Sequence, residues 1–170
     1  MNDNVVLGGP VHKPAPDTYS YPKEMVHAPE HPAAQELIAY WQTCEAKGGM
    51  RMGRDVPARP IAKLLRNIAI SEPVGDWDDA HIRLAGLAYA ERFGRDIAGM
   101  NIRALYADDV QSAQALLEGG RHVTATREPR IMHTRVMAEA IELMRYEVVS
   151  LPVFAPAGDT IWCLTGAFRF

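Results

Sequence analysis

Apolar residues recur at helical spacing at Leu37, Ile38, Trp41 and Cys44, predicting a helix that Gly48 and Gly49 end. Met50 to Arg59 reads as an arginine-rich linker. Pro60 suits the first turn of a second helix, whose apolar face is Ile61, Leu64, Leu65 and Ile68. The period then shortens. Ile68 to Ser71 reads as a strand halted near Pro73 and Gly75, with a tight turn at Trp77, Asp78 and Asp79. His81 to Gly86 alternates polar and apolar, as a half-buried strand does, so the two strands form a hairpin. Ala88 to Phe93 predicts a short helix stopped by Gly94. Asp108 and Asp109 precede a longer amphipathic helix carrying Val110, Ala113, Leu116 and Leu117, whose stripe fades at Gly119 and Gly120.

The last third carries the strongest strand signal. Arg130 to Glu139 alternates, and Leu143 to Val153 is rich in β-branched and aromatic residues. Ala155 to Asp159 is a turn with Pro156 and Gly158, and Thr160 to Phe170 is another apolar strand. Short connections make these three an antiparallel meander. Two strands before and three after a helical insert predict an α+β domain. Its simplest form is a five-stranded antiparallel sheet, with the insert between strands 2 and 3 on one face and an additional N-terminal helix on the other.

Residues 1–32 read differently. They hold six of the twelve prolines: Pro10, Pro14, Pro16, Pro22, Pro29 and Pro32. Proline lacks an amide hydrogen and restricts its predecessor, so this stretch is expected to be an extended or disordered arm before a single domain at 33–170. His12, His27 and His31 lie in it without the fixed spacing of a metal site. The whole chain is 48% hydrophobic and 23% charged, ordinary for a globular protein of 170 residues. Its net charge of −3 gives no sequence-wide attraction to nucleic acid or an anionic membrane. Asp3 and the absence of a basic stretch before an apolar run argue against a secretory signal, so a cytoplasmic protein is expected. Cys44 and Cys163 lie far apart and read as reduced, buried thiols.

The segment HIRLAGLAYAERFGRDIAGMNI, His81 to Ile102, resembles the second strand and following short helices of a PAS domain. It carries the phrase R-L-x-G-x-x-x-x-x-x-x-G-x-D-x-x-G at Arg83, Leu84, Gly86, Gly94, Asp96 and Gly99. VPARPIAKLLRNIAISEPV is similar to the lead-in helix and first strand of a bacterial single-domain branch associated with alphaproteobacterial signalling. Leu151-Pro152, Gly158-Asp159 and the TGAFRF ending are similar to its closing hairpin. The resemblance spans Ala33 to Phe170. It implies a sensor or docking module that binds a small molecule, haem or flavin between sheet and helices, or binds nothing and dimerises. With no output region in the chain, such a module is expected to act by contact with signalling proteins, for example a histidine kinase or a second-messenger enzyme, and not as an enzyme.

Flavin-adduct chemistry would need a cysteine in the insert, and none lies between Cys44 and Cys163. The cofactor is therefore left unassigned. His122, after the longer helix and next to Arg121, offers a haem ligand, against the plainer reading of a solvated histidine. Asp76, Asp78 and Asp79 lack calcium-loop spacing and read as turn formers. Glu139, Glu142 and Glu147 with Arg135 and Arg145 read as cross-strand charge pairs, not as a catalytic set. For a ligand pocket the candidates are Arg83, Tyr106, His133, Met144, Tyr146 and Trp162. If strand alternation turns Met144, Tyr146 and Val148 inward, Tyr146 brings a hydroxyl into an apolar cavity. Tyr106 opens the longer helix, and Arg83 would hold an anionic ligand bidentately unless Ile82 and Leu84 take the inner face and leave it on the surface. Leu37 and Trp41 are the expected interface of a homodimer, because exposed apolar stripes usually become interfaces. The competing readings are a haem-binding sensor and a small α+β enzyme of isomerase or lyase type.

Overall fold

The computed structural model describes residues 19–170. Pro10, Pro14, Pro16 and His12 lie outside them. The order is β1 (Tyr19–Ser20), β2 (Lys23–Val26), α1 (Pro32–Glu45), a 3-10 segment (Arg59–Asn67), β3 (Ile68–Val74), β4 (Asp79–Ala85), α2 (Leu87–Phe93), α3 (Ile102–Leu105), α4 (Val110–Thr126), β5 (Arg130–Ala138), β6 (Ile141–Phe154) and β7 (Ile161–Arg169). One antiparallel sheet runs in the order β1-β5-β6-β7-β3-β4, with β2 also pairing β5. The α+β reading and the helical insert between the second and third strands of the predicted five hold.

Two expectations change. Residues 19–26 do not behave as an arm: they form strands paired with β5, with Tyr19 opposite Ala138 and Val26 opposite Ile131. The prolines fall between the pairings, where no ladder amide is needed. The expected five-stranded sheet thus has seven strands. The stretch read as a linker is also held: Met50 and Val56 are buried, and Met50 and Met52 exchange backbone hydrogen bonds with Phe154 at 2.8 and 2.9 Å.

The two faces of the sheet carry separate cores. On one, α1 and the 3-10 segment bury Leu37, Trp41, Ile61 and Leu64 against Ile70, Val149, Leu151 and Leu164. Pro32 occupies the first turn of α1, and His31 caps it by accepting the Ala33 N–H at Nδ1, 3.1 Å. On the other face, α2, α3 and α4 bury Ile97, Ile102, Ala113, Leu117 and Val123 against Ala80, Ile82 and Cys163. α4 does not stop at Gly119 and Gly120. It runs to Thr126, and Gly120 packs so closely on Trp77 that a Cβ there would lie 2.2 Å from the ring. The glycines mark a close approach within the helix, not its end.

Candidate functional site

The insert does not fill all the space over the sheet. A cavity of about 80 Å³ lies between them. Strand alternation builds its floor: Cys163, Thr165 and Ala167 on β7, Ala69 and Ser71 on β3, and Val148 on β6. β4 contributes Ala80 and Ile82. The β3–β4 register pairs Ser71 with Ile82 but Ile70 with Leu84, so Arg83 is the extra residue of a bulge. The bulge sends Ile82 into the cavity and Leu84 to the opposite core. The roof is Tyr89 and Arg92 on α2, Ile102 and Leu105 on α3, Tyr106 just after it, and Leu116 and Leu117 on α4. Trp77 also lines it, its indole N–H donating to Thr124 Oγ1 at 2.9 Å.

Few polar groups reach this space. The Tyr89 hydroxyl donates to the Thr165 carbonyl at 3.3 Å. The Tyr106 ring meets Phe93 edge-on at 5.5 Å. Burial pushes both phenols above their ordinary range. The Cys163 thiol is raised by the same desolvation to about 11. Groups so shifted stay protonated near neutral pH, which makes them hydrogen-bond donors and not bases or nucleophiles.

Of the six pocket residues expected from sequence, only Tyr106 lines the cavity, and it follows α3 instead of opening α4. Arg83 is on the far face, ion-paired to Glu72 and 5.8 Å above the Trp162 ring, which lies in the α1-side core. Met144 and Tyr146 sit on β6 beyond the insert, where the Tyr146 hydroxyl meets the Met144 sulfur at 3.5 Å. Tyr89, Arg92, Cys163 and Thr165 were missed as cavity residues. Tyr89 and Arg92 stand three apart on the predicted short helix, a spacing that puts them on one face. Nothing in the sequence told which face met the sheet.

His133 belongs to a second, fully packed cluster on the α1 side. It lies opposite Glu147 in the ladder, and its Nε2 is 2.8 Å from the Glu147 carboxylate. That carboxylate is 0% exposed and also accepts the backbone N–H groups of Glu30, at 2.9 Å, and His31, at 3.0 Å. The His31 ring, with Nδ1 accepting from Ala33, places its Nε2 3.0 Å from the Arg169 carbonyl. These contacts fasten the start of α1 to the sheet. Glu142, not Glu147, takes the arginines, with Arg135 and Arg145 at 3.7 and 4.0 Å.

The expected interface residues are inside the chain: Leu37 is 0% and Trp41 8% exposed, and the Trp41 indole donates to the Pro152 carbonyl at 3.1 Å. The apolar stripe of α1 is spent on the chain's own sheet. His122 lies on the exposed side of α4, pointing away from the cavity.

A family model described as PAS domain matches residues 29–168, and the chain belongs to the PAS domain family. Curated proteins and solved structures yield no match. PAS domains are in general sensory and signalling modules, not catalysts. No helix among the described residues is long and apolar enough to cross a membrane.

Proposed function

We propose that the chain is a cytoplasmic signalling module of bacterial type that works by contact with other proteins and is gated by a small molecule held between the sheet and helices α2 to α4. The cavity carries this reading: it is walled mainly by Ile, Leu and Ala side chains, with a few donors converging on it. A molecule entering it touches the sheet and three helices at once. It therefore favours whichever arrangement of the insert it fits best, by no more than its difference in affinity for the two arrangements. Partners of this reading are signalling proteins such as a histidine kinase or a second-messenger enzyme.

The size limits the occupant. About 80 Å³ is far below the roughly 300–1,000 Å³ of sites for larger ligands, so haem and flavin do not fit this space. His122, on the outer side of α4, does not serve a haem there. Homodimerisation through Leu37 and Trp41 is not part of the reading, since both are core residues.

Native mass spectrometry of the purified protein tests it. An added mass of a small organic molecule, lost on denaturation, is the expected result. Pull-down of a candidate kinase by the wild type but not by Leu117→Phe, which fills the cavity, would tie occupancy to partner contact. Equal binding by both, with a bare native mass, overturns the gating.

A further inference from the structure

The polar side chains around the cavity are hydroxyls, the Cys163 thiol, the Trp77 indole N–H and one cation, the Arg92 guanidinium. No Asp or Glu is among the residues that line it. The Tyr106 hydroxyl has no hydrogen-bond partner among the described residues. The Arg92 guanidinium makes no hydrogen bond or ion pair among them either, and rests 5.5 Å over the Phe93 ring that Tyr106 also touches. Asp108 and Asp109 follow Tyr106 by two and three residues, and the Asp109 carboxylate caps α4 by accepting the Ser112 N–H at 3.1 Å. Arg92 is exposed on its outer side while lining the cavity, so it stands at the mouth. Deeper in, Ile82, Ile97 and Leu117 are buried and apolar.

We propose that this cavity binds a short-chain aliphatic monocarboxylate, its tail among Ile82, Ile97 and Leu117 and its carboxylate held at the mouth by Arg92 and Tyr106. The inference rests on the reading of the cavity as a ligand site and adds the class of ligand. Volume sets the chain length: a cavity of about 80 Å³ is roughly half of one that takes benzene, which suits a tail of about three or four carbons. Charge sets the head group. A guanidinium beside an apolar wall pairs best with a planar, two-oxygen anion. A neutral alcohol leaves the guanidinium without a counter-ion. A dicarboxylate would push a second charge against isoleucine and leucine.

The test is a methyl NMR titration of the full chain with sodium butyrate and, separately, with 1-butanol. Saturable shifts at the Ile82, Ile97, Ile102 and Leu117 methyls are expected, with butyrate binding at least about 10-fold tighter than butanol. Arg92→Gln, at an exposed position where folding is not at stake, should weaken butyrate by about 10-fold or more and leave butanol unchanged. Tyr106→Phe should weaken butyrate by a smaller factor. If butanol binds as tightly as butyrate, or Arg92→Gln changes nothing, the carboxylate assignment is wrong and the cavity still stands as a ligand site. If neither probe gives saturable shifts at these methyls, the assignment and the ligand-gated reading both fall.

Discussion

At the scale of single residues, two buried groups make predictions of opposite kind. Cys163 has its thiol raised from 9.0 to about 11 by desolvation. The folded state therefore binds this proton more tightly than the unfolded chain does. Its contribution to stability is complete below pH 9 and is lost as pH climbs through 11, with a limiting slope of about 1.4 kcal/mol per unit. Urea midpoints for wild type and Cys163→Ala should diverge in slope between pH 9 and 10, the variant falling less steeply. Parallel curves would mean the thiol ionises as readily folded as unfolded. The carboxylate of Glu147 makes the other prediction. It satisfies two backbone N–H groups and His133 at once. Glu147→Ala removes the acceptor from all three, the His133 ring among them being buried, and should cost roughly 3 kcal/mol in denaturant unfolding. Its neighbours were readable as a charged ladder, but the true partner was not. Alternation identifies which residues share a sheet face, while the caller on Glu147 comes from the start of α1, more than a hundred residues away in sequence.

At the scale of elements, the motif glycines show what a pattern encodes. Gly94 and Gly99 have φ of 68° and 88°, where a Cβ is strained, and Asp96 closes the turn between them by accepting the Ala98 N–H at 3.0 Å. Gly86 is different. Its backbone is ordinary, but a Cβ would sit 2.1 Å from the Leu65 carbonyl oxygen, where the end of β4 crosses the 3-10 segment. Backbone cannot yield as a flexible side chain would. Gly86→Ala should therefore cost about 3 kcal/mol, the upper end for overpacking, whereas Gly99→Ala meets no atom and acts through φ alone. Thermal unfolding of the pair distinguishes steric from conformational cause. The helix stripe at Leu37 and Trp41 was legible as a stripe, and the error lay in what it covered. Period reports that a face is apolar, and only the sheet beneath it shows whether its own chain already buries that face. Trp41→Ala should accordingly lower stability by roughly 3–5 kcal/mol, as loss of a core indole does, without changing the size seen in gel filtration of the folded fraction.

At the scale of the whole molecule, the alternating strands and the helical insert were legible because each reports locally, through period and turn chemistry. The cavity was not, because it is a mismatch between faces that no local pattern records. The bulge at Arg83 is a case in point. One extra residue sends Ile82 and Leu84 to opposite cores, against the alternation that would put them together. The edge of the sheet was hidden for the converse reason: prolines concealed strands whose pairing avoids them. β1 and β2 cover β5 from Ile131 to Thr134 and again at Met137 and Ala138. They also end the sheet in a strand bearing Lys23 and Glu24 after Pro22, features that discourage a further strand from adding. The family match begins at residue 29, past both strands. A chain shortened to begin at His27 should thus keep its helices and its main sheet, with the helical signal of its far-ultraviolet spectrum retained, but present the bare amides and carbonyls of β5. That edge is long and carries Ile131, Val136 and Met137, so it should pair with itself between molecules. Light scattering across a concentration series would show self-association of the shortened chain and none of the full one at the same concentrations. A shortened chain that stays monomeric throughout would mean that β5 needs no cover, and that the N-terminal strands are kept for something other than guarding the edge.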